Sequence, residues 1–285
     1  MSFAFVSLHP ACHLPATSTT VAAMTTASEQ QNPSRIFLAY PLTQVVSDID
    51  DTLKSSGGLE IGGVSLGGVD VQYDRGDFYP GVFQFMWELS LHTIRLNQRH
   101  YGQYKIERGG ENSFSDLRLS PPKVAVLTAR AEELKAALEI KDKSKLAQAF
   151  RKTGESSIIY PTKEWGVGPL DQEAGETMLR EYPEVVQAVF LHVVSPDPPS
   201  TFPPSGIFIP PPKLINGRPL VFFRTYVGAA AKAAQLGLME LDGLMRVIEE
   251  AEMTLTAQGV PMEDSKWVDL SRDIDEAHRT IGEMY

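Results

Sequence analysis

A chain of 285 residues is long enough for one large domain or two small ones, each with a buried core. Its composition, 42% apolar and 22% charged, excludes wholesale disorder and fibrous or coiled-coil arrays. The net charge of −10, with no basic patch to offset it, argues against nucleic acid as a partner. No apolar run approaches the ~20 residues that span a bilayer, so no transmembrane segment is expected and any lipid contact is peripheral. The lone cysteine, Cys12, can form neither an intramolecular disulfide nor a Cys-rich zinc site.

Residues 1–28 carry no Asp, Glu, Lys or Arg and are crowded with Ser, Thr and Ala. That composition predicts a disordered or transit-like segment over residues 1–34, with a plastid or cytoplasmic location. The ordered part is expected to open with the β-branched run Thr43 to Ser47, a buried strand whose carboxyl end bears Asp48, Asp50 and Asp51. Three Gly pairs from Gly57 to Gly68, with Leu59, Ile61, Val64 and Leu66 between them, predict a β-hairpin or flap over the end of that strand. From Pro80 to about Asn97, Val82, Phe85, Met86, Leu89 and Thr93 recur at helical spacing. A polar loop then leads to a second strand, Lys123 to Leu127, which ends at Thr128-Ala129-Arg130.

A helix rich in Ala, Glu, Leu and Lys follows from about Ala131 to Lys152, with a break near Lys141 and a stop at Gly154. Ser157 to Tyr160 reads as a short strand, Glu173 to Tyr182 as a helix, and Val185 to Val194 as an apolar strand. Residues 196–212 hold eight prolines and read as an extended loop. A last strand, Leu220 to Phe223, enters an Ala-rich helix, and two further helices complete the chain. Strands alternating with helices predict a three-layer, Rossmann-like α/β domain over residues 35–235, with a mainly parallel sheet covered on both faces and a helical tail over residues 236–285. No phosphate-binding glycine loop and no internal repeat is present.

In an open parallel sheet the ligand site lies beyond the carboxyl ends of the strands, and Asp48 and Asp50, two residues apart, are expected to share a face there. Two carboxylates in one cleft bind a hard metal through oxygen or raise one another's pKa. A helix cap is the plainer alternative. The string Asp48-Ile49-Asp50-Asp51-Thr52-Leu53-Lys54 after its strand, together with Val126-Leu127-Thr128-Ala129-Arg130, resembles motifs I and II of the haloacid-dehalogenase-like (HAD-like) phosphatases. More narrowly the chain is similar to the catalytic domain of the actin-patch-type phosphatidate phosphatases, through Phe190 to Val194 and Phe222 to Ala230 as well. The resemblance covers roughly residues 43–235.

The resemblance implies an Mg²⁺-dependent phosphomonoesterase, with a phosphate monoester such as phosphatidate as substrate. Asp48 matches the nucleophile that forms an aspartyl phosphate, and Asp50 the acid and base whose carbonyl also helps hold Mg²⁺. Thr52 matches a supporting residue, and Thr128 and Arg130 belong to the phosphate-holding motif II. The chain departs from the family at the motif III lysine and the motif IV acids. Asp171 is the nearest remnant of the missing metal ligand, Glu173 and Glu176 are weaker substitutes, and Lys152 or Lys163 are replacements for the lysine. A non-catalytic or truncated binding or scaffold protein is therefore the alternative. His92, His100 and His192 have no ligand spacing and read as packed or surface residues.

Overall fold

The computed structural model describes residues 4–8, 38–57, 60–61, 64–65, 70, 72–107, 119–126, 144–169, 186–194, 209–215 and 217–284. Its elements run in the order β1 (Ala4–Leu8), β2 (Gln44–Ser47), β3 (Glu60–Ile61), β4 (Val64–Ser65), α1 (Val82–Glu107), β5 (Val124–Val126), α2 (Lys145–Ser156) and β6 (Val167–Pro169). There follow β7 (Val186–His192), β8 (Lys213–Ile215), β9 (Arg218–Phe223), α3 (Tyr226–Gln235), α4 (Leu241–Ala257) and α5 (Ser265–Met284). The chain is thus mixed α/β, as expected. Its seven-stranded sheet has the order β6-β5-β2-β1-β7-β9-β8, and β3 and β4 form a separate antiparallel pair in the Gly-rich stretch.

Pairings β6–β5, β5–β2 and β7–β9 are parallel. The strand between β2 and β7 is β1, antiparallel to both. Part of the segment expected to be disordered therefore lies in the middle of the sheet. A five-residue strand needs no charge pattern of its own when both its edges find backbone partners, which composition does not reveal. Its ladder with β2 runs in continuous register from Val6↔Val46 to Leu8↔Gln44, whereas its ladder with β7 is irregular at two points.

Alternation along the strands fixes which face meets the helices. In β7, Val186, Ala188, Phe190 and His192 are buried while the residues between them are only half buried. Val45, Val124, Val126, Val221 and Phe223 join Ala188 and Phe190 in one core with the helices. The opposite face carries Gln187, Val189, Leu191, Leu220 and Phe222, all half buried. The core shared with the helices thus draws on one face of the sheet, while Val46 on the other face is buried outside that core.

The helical stripe foreseen in α1 is the centre of this core: Val82, Phe85, Met86 and Leu89 are buried, as is Thr93. The two helices expected as a C-terminal tail contribute to the same core through Leu244, Val247, Ile248, Ala251, Leu255, Trp267, Leu270 and Ala277. They do not stand apart from it. No described helix is long and apolar enough to cross a membrane.

Three local expectations change. Gly154 does not stop α2 but lies inside it, buried, where a Cβ would come within 2.9 Å of the Thr162 carbonyl oxygen, so close packing rather than chain termination demands glycine there. The N-terminus of that helix is capped by Ser144, which accepts from the Ala147 amide. Ser157 to Tyr160 forms bends instead of a strand, held by the Ser157 hydroxyl, which accepts from the Tyr160 amide and the Trp87 indole. Residues 131–143 of the helix predicted over 131–152, the helix predicted over 173–182, and residues 196–208 of the Pro-rich loop predicted over 196–212 lie outside the described residues.

Helix α4 docks on α1 through charge as well as apolar contact. Glu88, almost wholly enclosed, accepts two bonds from Arg246 at 2.8 and 3.0 Å and pairs with Arg95 at 3.2 Å. Arg95 also reaches Glu240, which in turn holds Arg99. The close approach is possible because residue 243 is glycine: a Cβ there would sit 2.8 Å from Glu88 Oε2. Removing one partner of a buried pair leaves the other uncompensated. Glu88→Ala is therefore expected to lower stability by about 3 kcal/mol, read as a fall in urea midpoint, with Gly243→Ala destabilising in the same direction.

Candidate functional site

The site begins where β2 ends. Asp48 follows Ser47 at the carboxyl end of β2, beside the end of the parallel strand β5. Its carboxylate accepts from the Ile49 amide at 2.7 Å, and its carbonyl from the Ser47 hydroxyl at 2.7 Å. Immediately afterwards the chain turns back on itself. The Ile49 carbonyl gathers the amides of Leu53 and Lys54, and the Asp51 amide donates to the Lys54 carbonyl at 2.9 Å.

Asp51 adopts φ +56°, the only positive φ among the described non-glycine residues. Aspartate tolerates this left-handed conformation because its short polar side chain bonds locally. Here its carboxylate accepts from the Ser56 amide at 3.0 Å and the Ser56 hydroxyl at 2.5 Å. The turn changes the geometry read from the sequence. Asp48 and Asp50 are not alternating residues of one strand, and Asp50 instead bridges to Lys54 with its carboxylate 3.9 Å from the ammonium.

Two aromatic or heteroaromatic side chains from the other end of the domain support the turn. The Tyr226 hydroxyl donates to the Thr52 carbonyl at 2.5 Å, and His192 Nδ1 lies 2.9 Å from the Asp51 carbonyl oxygen. Thr52 itself is fully buried, so it belongs to the support of the turn and offers no surface to a ligand. Sequence spacing gave no sign of either contact, since the partners are 174 and 141 residues apart.

Electrostatics single out Asp48. Burial pushes its carboxyl up to about 6, the Ile49 amide pulls it down, and the neighbouring charges of Asp50 and Asp51 raise it further. An acid of this kind at a strand end is a functional candidate on physical grounds. Beside the turn, at the carboxyl ends of β7 and β9, lies a small solvent-open depression. Asp70, Tyr79, His192, Arg224, Lys266 and Asp269 line it. Arg224 is held by Asp269 at 3.0 Å and by the Val193 carbonyl at 3.0 Å, and the Tyr79 hydroxyl donates to Asp70 at 2.6 Å.

The other expected site residues divide in two. Lys152 and Lys163 are described and exposed. Thr128, Arg130, Asp171, Glu173 and Glu176 lie outside the described residues. For Mg²⁺, the donors at the turn suit in kind, being hard oxygens whose mutual repulsion a divalent cation relieves. Among the described residues, no group of three or more His, Cys, Asp or Glu side chains converges to hold a metal.

The raised Asp48 carboxyl has a sign that can be checked. Between the unfolded value of 3.8 and about 6 the folded chain binds the extra proton, so this residue makes stability fall as pH rises through that window. Asp48→Asn removes the penalty. It is expected to be more stable than the natural chain at pH 7 by about 1–2 kcal/mol, less than the full shift implies because the group is partly solvated, and equal to it near pH 4. Urea denaturation of both chains at the two pH values measures the difference.

No family model, no curated protein and no solved structure matches the chain.

Proposed function

We propose that the chain hydrolyses phosphate monoesters through an aspartyl-phosphate intermediate, with Asp48 as nucleophile and Asp50 as acid and base. The observation that carries the reading is Asp48: a half-buried carboxylate at the carboxyl end of a parallel strand, poised near pH 6 and followed by a tightly wound acidic turn. The similarity of that turn to motif I of the HAD-like phosphatases supports the same assignment, and with it a three-layer arrangement of that type. Phosphatidate is the substrate proposed within the class.

Asp48 is mostly ionised at pH 7, so an oxygen of its carboxylate is available to attack phosphorus while the ester P–O bond breaks. The leaving oxygen takes its proton from Asp50, which stands at the mouth of the turn with 41% of its side chain exposed. Water then attacks phosphorus, gives its proton back to Asp50, and releases inorganic phosphate from Asp48. Asp48 and the Asp50 carbonyl, with Asp171, are the residues proposed to hold Mg²⁺, which when bound neutralises the repulsion between carboxylate and phosphate. Thr128 and Arg130 are proposed to hold the phosphate oxygens.

One observation favours a second reading, a protein that binds without turning over: the carboxylate proposed as acid and base pairs with Lys54, 3.9 Å away. The two readings separate in one assay with an aryl phosphate and Mg²⁺. The phosphatase reading predicts phosphate release that EDTA abolishes and Asp48→Asn reduces by at least ~10³-fold. Asp50→Asn should slow turnover less for aryl than for alkyl phosphates, since a good leaving group needs little protonation. Phosphate binding by calorimetry without any release would establish the second reading.

The missing motif III lysine and motif IV acids predict a slow enzyme. Loss of one electrostatic partner costs ~10²–10³ in rate. Inserting a family-like motif III to IV segment between Leu170 and Asp171 is expected to raise the EDTA-sensitive rate by at least that factor, measured side by side with the natural chain.

A further inference from the structure

His192 ends β7 in a position that a neutral imidazole cannot satisfy. Its Nδ1 lies 2.9 Å from the Asp51 carbonyl oxygen and its Nε2 2.9 Å from the Arg224 carbonyl oxygen. Carbonyl oxygens only accept. A neutral ring carries one N–H, so it bonds to one carbonyl and turns a lone pair toward the other, whereas an imidazolium donates to both.

We propose that His192 is a positioning residue for the acidic site: its imidazolium form clamps the Asp51 carbonyl to the Arg224 carbonyl, and its neutral form releases one of the two. The clamp joins the turn that carries Asp48 and Asp50 to the corner between β9 and α3. For its effect on turnover the inference rests on the phosphatase reading; the clamp itself does not.

The surroundings hold the ring in place and oppose its charge. It stacks on Phe223 at 5.0 Å and 17°, and Tyr79 meets it edge-on at 4.5 Å. The Tyr226 ring lies 5.7 Å away, with its hydroxyl already committed to the Thr52 carbonyl. The titratable and charged groups around the ring come from each element packed on it. Asp51 belongs to the turn, and its carboxylate is spent on Ser56. Asp70 and Tyr79 precede α1 and bond to one another. Arg224 and Tyr226 form the corner, and Lys266 and Asp269 of α5 share the depression.

Burial, the largest influence, and the Arg224 guanidinium favour the neutral ring; the two carbonyls and Asp70 favour the charged one. Burial prevails and pulls the imidazole below its ordinary value of about 6.5. The two-sided clamp thus belongs to pH below the ordinary imidazole range and is lost as pH rises through the lowered midpoint. Neutral His192 still packs in the core, so the transition loosens the turn without unfolding the domain.

The test is an NMR titration of the full chain between pH 4 and 8, following the His192 ring and the amides of residues 51–53 and 224–226. Asp48 titrates in the same range, so the Asp48→Asn chain is titrated as well. The expected result is one midpoint below about 6.5 shared by the ring, the turn and the corner, retained in Asp48→Asn and absent from both amide groups in His192→Gln. A ring that titrates while the amides stay still overturns the proposal, as does an amide step that survives in His192→Gln. So does a ring that never charges above pH 4. Should His192→Gln fail to fold, the comparison of the natural and Asp48→Asn chains decides between these outcomes. Shared midpoints together with no aryl phosphate hydrolysis at any pH would uphold the clamp and reject the phosphatase reading.

Discussion

The turn after β2 is held together by backbone hydrogen bonds that it could not maintain alone. Asp51 sits at φ +56°, and the carbonyls of Asp51 and Thr52 point inward, away from water. A buried carbonyl without a donor costs about 1–3 kcal/mol, so the turn exists only where donors are supplied from beneath it. Tyr226 supplies one to Thr52, and His192 faces the Asp51 carbonyl with a ring nitrogen that donates to it when protonated. Both come from the half of the chain that builds β7, β9 and α3, and the conformation of the acidic residues is consequently a property of the assembled domain.

This dependence explains how the core and the site are linked. Tyr226 is buried against Phe85 of α1, Phe223 of β9 and Tyr79, so the hydroxyl that meets Thr52 is aimed by the same aromatic packing that holds the sheet to the helices. Burial keeps its phenol protonated, which a donor to a carbonyl requires. Thr225 caps α3 by accepting from the Gly228 amide and donates its hydroxyl to Asp273 of α5 at 2.6 Å. The C-terminal helix therefore fixes the corner that the site leans on. Gly228 takes part by omission, because a Cβ there would lie 2.7 Å from Asp273 Oδ2.

The charges of the domain fall into two groups with different tasks. Glu88, Arg95, Arg246, Glu240 and Arg99 pair with one another between α1 and α4, around a Glu88 carboxylate that is almost wholly enclosed. Asp48, Asp50 and Asp51 instead accumulate like charge at one strand end, and the Asp48 carboxyl is raised chiefly by its burial, with the charges of Asp50 and Asp51 adding to the rise. Structural charges are arranged to cancel. Asp48 is instead held where burial favours its protonated form, a perturbation of the kind found at reactive carboxylates.

Local pattern was enough to read the elements whose stability is local. The apolar runs of β5, β7 and β9 gave strands at nearly their observed positions, and the period-3.6 stripe gave the start of α1 but not its continuation past Asn97 to Glu107, because each buries one face and the residues advertise it only where they are apolar. The acidic end of β2 was legible for the same reason, as a polar cluster after a β-branched run. What the sequence could not decide is everything that depends on a partner far along the chain. Ala4–Leu8 becomes a central strand through edges contributed by β2 and β7. Gly154 is required by the Thr162 carbonyl rather than by a helix end. The turn brings Asp50 to Lys54 because φ at Asp51 reverses the chain, and His192, which has no ligand spacing in the sequence, becomes the link between that turn and α3. Spacing reports which residues share a face of one element; only the packed sheet and helices determine which faces meet.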